Sequence, residues 1–105
     1  MNCPNCSDKT LQPTATPAKV SIQICPNCRG SWFAAGDLPR LLGNPTEFER
    51  QLARAKVNAK PSDKLSPVSG DLMLEIPYRG KHPVYLCQAS QGIWVEKEEL
   101  RAVIS

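Results

Sequence analysis

Apolar and polar residues alternate in "KVSIQI" (residues 19–24), where Val20, Ile22 and Ile24 share one side. That is the period of a half-buried strand. "LMLEI" (72–76) and "PVYLC" (83–87) read as two more strands, joined through "PYRGKH" with Gly80 as the turn residue. After each of the two tryptophans, Trp32 and Trp94, the period changes. "GDLPRLL" (36–42) and "EKEELRAVI" (96–104) start short helices, and Leu100, Val103 and Ile104 share one helical face that covers the sheet. Between them lies "NPTEFERQLARAKVNAKPSDK" (44–64). Asn44, Pro45 and Glu47 form an N-cap, an N1 proline and a capping-box partner. Phe48, Leu52, Ala55 and Ala59 fall on one face of the helix that follows, Arg50 and Arg54 on the other, and Pro61 with Ser62 ends it.

The pattern occurs twice. In "ICPNCRGSWFAAGDL" (24–38) a Cys is followed by Gly, Trp and Leu at the same offsets as in "LCQASQGIWVEKEEL" (86–100): Cys25, Gly30, Trp32 and Leu38 match Cys87, Gly92, Trp94 and Leu100. Upstream, "CPNCSDKTL" (3–11) lies over "SPVSGDLML" (66–74). A self-similar chain is read as repeated supersecondary units. The expectation is a small zinc-dependent α+β fold of two zinc-ribbon-like units. Each has short β-hairpins followed by a short helix, at residues 1–43 and 65–105, and an amphipathic linker helix over 44–64 joins them.

Composition supports small cores held by something besides burial. The chain has 105 residues, 41% hydrophobic and 22% charged, with ten prolines. Units of about 40 residues sit where a metal or mutual packing is needed for stability. The net charge of +3 does not announce a nucleic-acid binder. Residues 1–43 carry 4 basic and 2 acidic groups, 44–64 carry 5 and 3, and 65–105 carry 4 and 5, so basic surface belongs to the first unit and the linker. "MNCPNC" lacks the apolar core of a signal peptide, and no apolar run is long enough to span a membrane. A cytoplasmic, reducing compartment is expected.

Four of the five cysteines form two Cys-x-x-Cys pairs, Cys3 with Cys6 and Cys25 with Cys28, separated by residues 7–24. Each pair is a turn that presents two sulfurs, and pairing of the strands brings the two turns together. The spacing predicts one structural Zn2+ on Cys3, Cys6, Cys25 and Cys28. Iron uses the same four ligands. At the matching positions of the second unit stand Ser66, Ser69, Cys87 and Ser90. One thiol cannot hold a structural zinc, so this unit is expected to be metal-free, held by Leu72, Leu74, Ile76, Val84, Leu86, Ile93, Trp94, Val95 and Leu100, and to lean on the first unit or the linker. Cys87 reads as a small buried hydrophobe, and His82, the only histidine, as an exposed turn residue.

"CPNC…CPNCRGSWFAAGDL" resembles the bacterial zinc-ribbon family named after the transcription factor IIB zinc finger. The likeness covers residues 3 to 42, with 66 to 104 as a degenerate copy. It implies Cys3, Cys6, Cys25 and Cys28 as ligands and Trp32 and Leu38 as packing residues. Ala34 departs from the family's Asp and leaves the following helix less well capped, while Glu96 holds the matching place in the second unit. The family name implies transcription through the ribbon alone, and a fold does not fix a function.

No activated nucleophile, phosphate loop or carboxylate pair suggests an enzyme. The tryptophans read as one core residue per repeat, packed beneath the short helix. The leading expectation is a non-enzymatic adaptor docking on a larger protein or complex. The alternative is nucleic-acid binding through Arg29, Arg40, Arg50, Arg54, Lys56 and Lys60. A third is a redox or metal-handling protein that uses Cys87.

Overall fold

The computed structural model describes residues 1–6, 8–15, 20–78 and 82–104, without the side chains of Ser21 and Ile104. The turn expected at Gly80 lies outside the described residues, as does Lys19. Among the described residues, seven strands form one antiparallel sheet: β1 (Gln12–Ala15), β2 (Ser21–Ile24), β3 (Ser31–Phe33), β4 (Lys60–Leu65), β5 (Leu72–Tyr78), β6 (His82–Leu86) and β7 (Ile93–Val95). Their order is β1-β2-β3-β7-β6-β5-β4. The sheet is therefore continuous across the chain's two halves. The seam is β3 against β7, with Trp32 opposite Trp94 and Ser31 and Phe33 opposite Val95 and Ile93. The same residues include the α-helices α1 (Asp37–Leu42), α2 (Pro45–Ala55) and α3 (Lys97–Ile104).

Strand alternation divides the apolar residues between the two faces. Ile22, Phe33, Ile76, Tyr78, Val84, Leu86, Ile93 and Val95 turn to the helical side. There they meet Leu38 of α1, Phe48, Leu52 and Ala55 of α2, and Val103 of α3. The other face carries Trp32, Trp94, Met73 and Tyr85, together with Leu11 and the cysteines Cys3, Cys25 and Cys87. The tryptophans are thus not beneath the short helices, as the sequence pattern suggested. In Ser31–Phe33 the helix-facing residue is Phe33, and in Ile93–Val95 it is Ile93 and Val95. The central Trp of each strand must point the other way.

The cap of α2 is formed as its sequence predicts. Asn44 Oδ1 accepts from the Glu47 N–H at 3.2 Å, with Pro45 in the first turn. Phe48 stacks at a tilt on Tyr78, ring centroids 5.4 Å apart, which fixes α2 against β5. Segment 44–64 is helical only as far as a single 3₁₀ turn, Lys56–Asn58. Its remainder is the edge strand β4. Pro61 is tolerated there because an edge residue can do without a ladder N–H. The pairing with β5 jumps from Pro61 opposite Leu74 to Leu65 opposite Leu72. Ser62 fills the resulting bulge: its hydroxyl donates to the Met73 carbonyl at 2.7 Å and accepts from the Lys64 N–H at 3.2 Å. Leu72, expected in the core, is instead exposed on this edge. Among the described residues no helix is long and apolar enough to cross a membrane.

Candidate metal centre

Two tight turns present the four cysteines on the tryptophan side of the sheet. In the first, Cys3 N–H donates to the Lys9 carbonyl at 3.0 Å and Lys9 N–H to the Cys6 carbonyl at 2.8 Å, so the chain doubles back beside Leu11. In the second, Cys25 N–H donates to the Gly30 carbonyl at 3.1 Å and Arg29 N–H to the Cys25 carbonyl at 3.0 Å. Arg29 takes φ 67, the left-handed conformation that closes this turn.

The four sulfurs lie within 4.8 Å of one another, Cys3 and Cys28 at 3.6 Å. A tetrahedral Zn–S site with bonds of about 2.3 Å places its sulfurs about 3.8 Å apart. Cys3 and Cys25 are buried, Cys6 and Cys28 half-buried. Backbone N–H groups already point at sulfur: Asn5 at Cys3 (3.3 Å), and Asn27 and Cys28 at Cys25 (both 3.4 Å). Such donors stabilise thiolates. Burial opposes ionisation of Cys25, but these N–H groups and the neighbouring thiols outweigh it and bring its pKa down to about 7. Burial raises Cys3 and Cys28 instead. A divalent cation favours thiolate at every ligand. The four cysteines could hold one zinc ion, in a closed, structural shell.

Residues 2–43 match the family model described as a transcription factor zinc-finger, the ribbon of transcription factor IIB type. Over this segment the chain is similar to the zinc ribbons of that family. No curated protein and no solved structure matches the chain.

In the second half, the turn at Cys87 has backbone hydrogen bonds like those of the turn at Cys25. Cys87 N–H donates to the Gly92 carbonyl at 2.9 Å, and Gln91 N–H to the Cys87 carbonyl at 2.7 Å. Gln91 takes φ 63, as Arg29 does in the ribbon. Ser69 and Val68 N–H groups donate to Ser66 Oγ at 3.2 and 3.1 Å, and Ser69 Oγ lies 3.5 Å from Cys87 Sγ. Burial works against a Cys87 thiolate, but Ser66, Ser69 and Ser90 outweigh it and lower its pKa from 9.0 to about 7. A depressed thiol stabilises the fold in its ionised form. That contribution is complete above about pH 9, the unfolded value, and is lost as pH falls through the folded value near 7. The urea midpoint of the zinc-loaded protein is expected to rise from pH 7 to pH 9 more than that of Cys87→Ala. Equal rises would refute this.

The six basic candidates do not gather on one element. Arg29 lies in the second cysteine turn, Arg40 on α1, Arg50 and Arg54 on α2, Lys56 in the 3₁₀ turn and Lys60 on β4. Arg40 pairs with Asp37, Arg50 with Glu47 and Lys60 with Glu75. His82 is half-buried rather than exposed, its Nδ1 held by Glu99 Oε2 at 2.7 Å.

The sequence pattern does not single out Asn5, Asn27 or Lys64, and it gives Glu96 only as the counterpart of Ala34 at a helix start. Asn27 Nδ2 donates to Cys6 Sγ at 3.2 Å, and Asn5 Nδ2 lies 4.0 Å from Cys28 Sγ. Asn5 also donates to Glu96 Oε2 at 2.6 Å and accepts from Lys64 Nζ, while Lys64 and Glu96 pair at 3.0 Å. The available signal was that both cysteine turns read Cys-Pro-Asn-Cys.

Proposed function

We propose that the chain is a tandem zinc ribbon acting as a non-enzymatic adaptor. Cys3, Cys6, Cys25 and Cys28 are the zinc ligands. Residues 65–105 are a metal-free copy whose serines and Cys87 replace metal bonds by hydrogen bonds, and α2 clamps the copy to the ribbon. In a reducing cytosol the thiols stay available for zinc.

One observation favours docking on a protein. A groove of ≈ 420 Å³ runs between the first cysteine turn (Asn2, Cys3, Pro4) and its serine counterpart (residues 65–70). Leu65 and Val68, both exposed, line it, and exposed Leu72 lies opposite Leu65 in the strand pair. Apolar side chains grouped in this way mark a contact surface for another protein. Phosphate binding has less support, because three of the six basic candidates are already paired with carboxylates.

The test compares the wild-type chain with Leu65→Asp/Val68→Asp as bait at physiological salt, beside a titration with single-stranded and duplex oligonucleotides. A protein captured by the wild type and lost by the variant is the expected result. Capture by neither, or equal capture by both, refutes the groove. Oligonucleotide affinity that falls linearly on a log–log salt plot, with no captured protein, would establish the nucleic-acid alternative.

A further inference from the structure

The two cysteine turns are not independent donors of ligands. Each carries an asparagine that reaches across to the other. Asn27, between Cys25 and Cys28, donates from Nδ2 to Cys6 Sγ at 3.2 Å. Asn5, between Cys3 and Cys6, aims its Nδ2 at Cys28 Sγ, 4.0 Å away. The arrangement is reciprocal: the asparagine of one turn serves the last cysteine of the other. Those two cysteines are the half-buried ones, where solvent most readily competes for sulfur.

Asn5 is also held from outside the ribbon. Its amide has one orientation that satisfies both neighbours: Oδ1 accepts from Lys64 Nζ, and Nδ2 donates to Glu96 Oε2 at 2.6 Å. The reverse orientation would set oxygen against carboxylate and N–H against ammonium. Lys64 comes from the edge strand β4, and Glu96 precedes α3. Their mutual ion pair, 3.0 Å long with both side chains 19% exposed, is shielded enough to persist. The Tyr85 ring lies 5.2 Å from Lys64 Nζ and adds a cation–π contact on the same face. A chain of polar contacts thus joins the second half of the molecule to a sulfur of the ribbon.

We propose that Asn5 and Asn27 are positioning residues that stabilise the opposite turn's Cys28 and Cys6 thiolates, and that Lys64 and Glu96 make zinc retention in the ribbon depend on the second half of the chain through Asn5. This rests on the zinc assignment above. The degenerate copy then has a role that requires no ligands of its own: it closes the metal centre of its neighbour. Groups hydrogen-bonded to metal ligands orient them and tune their basicity, and losing one typically costs about 10–100-fold in metal affinity.

The test is the rate at which the full zinc-loaded chain gives up its metal to excess EDTA at pH 7.5, with cobalt-loaded protein read in parallel by its thiolate-to-metal charge-transfer bands. Native mass spectrometry of the wild type comes first. A chain without one zinc overturns the assignment of the ligands, separately from the roles of the asparagines. Given one zinc, Asn27→Ala and Asn5→Ala should each release it about tenfold faster and shift the cobalt bands. Asn27→Asp, which replaces a donor by a negative charge beside sulfur, should be faster still. Lys64→Met/Glu96→Gln should accelerate release in the wild-type background and add nothing in the Asn5→Ala background. Release within twofold of wild type with unmoved cobalt bands for both alanine variants would overturn the donor role. A Lys64/Glu96 effect of undiminished size in Asn5→Ala would overturn the coupling.

Discussion

Replacing Cys25 by Ser is expected to leave the chain without zinc and to unfold both cysteine turns. Cys25 is fully buried, and its sulfur receives two backbone N–H groups from its own turn. A neutral hydroxyl can keep those hydrogen bonds but cannot serve as the fourth thiolate. The binding free energy of a structural zinc, about 10–16 kcal/mol in comparable peptides, is folding free energy. Little on this side of the sheet can replace it, since Leu11, Trp32 and the cysteines supply most of the ribbon's packing there. Native mass spectrometry should find one zinc in the wild type and none in Cys25→Ser. Hydrogen exchange should show the amides of Cys3, Lys9, Cys25 and Arg29 losing protection. The β5–β6 ladder, with its five paired positions and α2 packed on β5, should keep it. Zinc at wild-type stoichiometry in the variant would contradict the ligand assignment.

The same residues show what a sequence can and cannot disclose. The cysteine turns and the cap of α2 were legible because their chemistry is local. Two residues between cysteines, or Asn44 three residues before Glu47, fix geometry within one turn of chain. The seam was not legible. Strands of three residues, such as Ser31–Phe33 and Ile93–Val95, are too short for alternation to show which residue faces which side, so both tryptophans were assigned to the wrong face. β4 was hidden for another reason. "KPSDKL" has no apolar alternation, because an edge strand made of charges, a proline and a serine-filled bulge carries the marks that discourage pairing with other chains. The Asn5–Glu96–Lys64 contacts join residues far apart in sequence, and no local pattern announces them.

Truncating Trp94 should cost more than any other single change at the seam. Its side chain is fully buried, and its indole N–H has no hydrogen-bond partner among the described residues, so its contribution is packing. The packing is specific. A Cβ on Gly30 would lie less than 3.0 Å from Trp94 Cζ2 and Cη2, and a Cβ on Gly92 equally close to the same atoms of Trp32. Each tryptophan therefore presses its six-membered ring against the glycine that closes the other half's turn, and the two halves lock reciprocally across β3 and β7. Trp94→Ala is expected to destabilise the zinc-loaded protein by about 3–5 kcal/mol in urea unfolding. Gly30→Ala, which forces the indole aside, should cost about 1–3 kcal/mol. The decisive measurement is the pair. If the indole is what excludes a side chain at residue 30, Gly30→Ala should cost far less once Trp94 is already Ala. Additive losses would mean that Gly30 serves its own turn's backbone rather than the indole. The glycines kept at the same offset in both halves would then owe nothing to the packing between them.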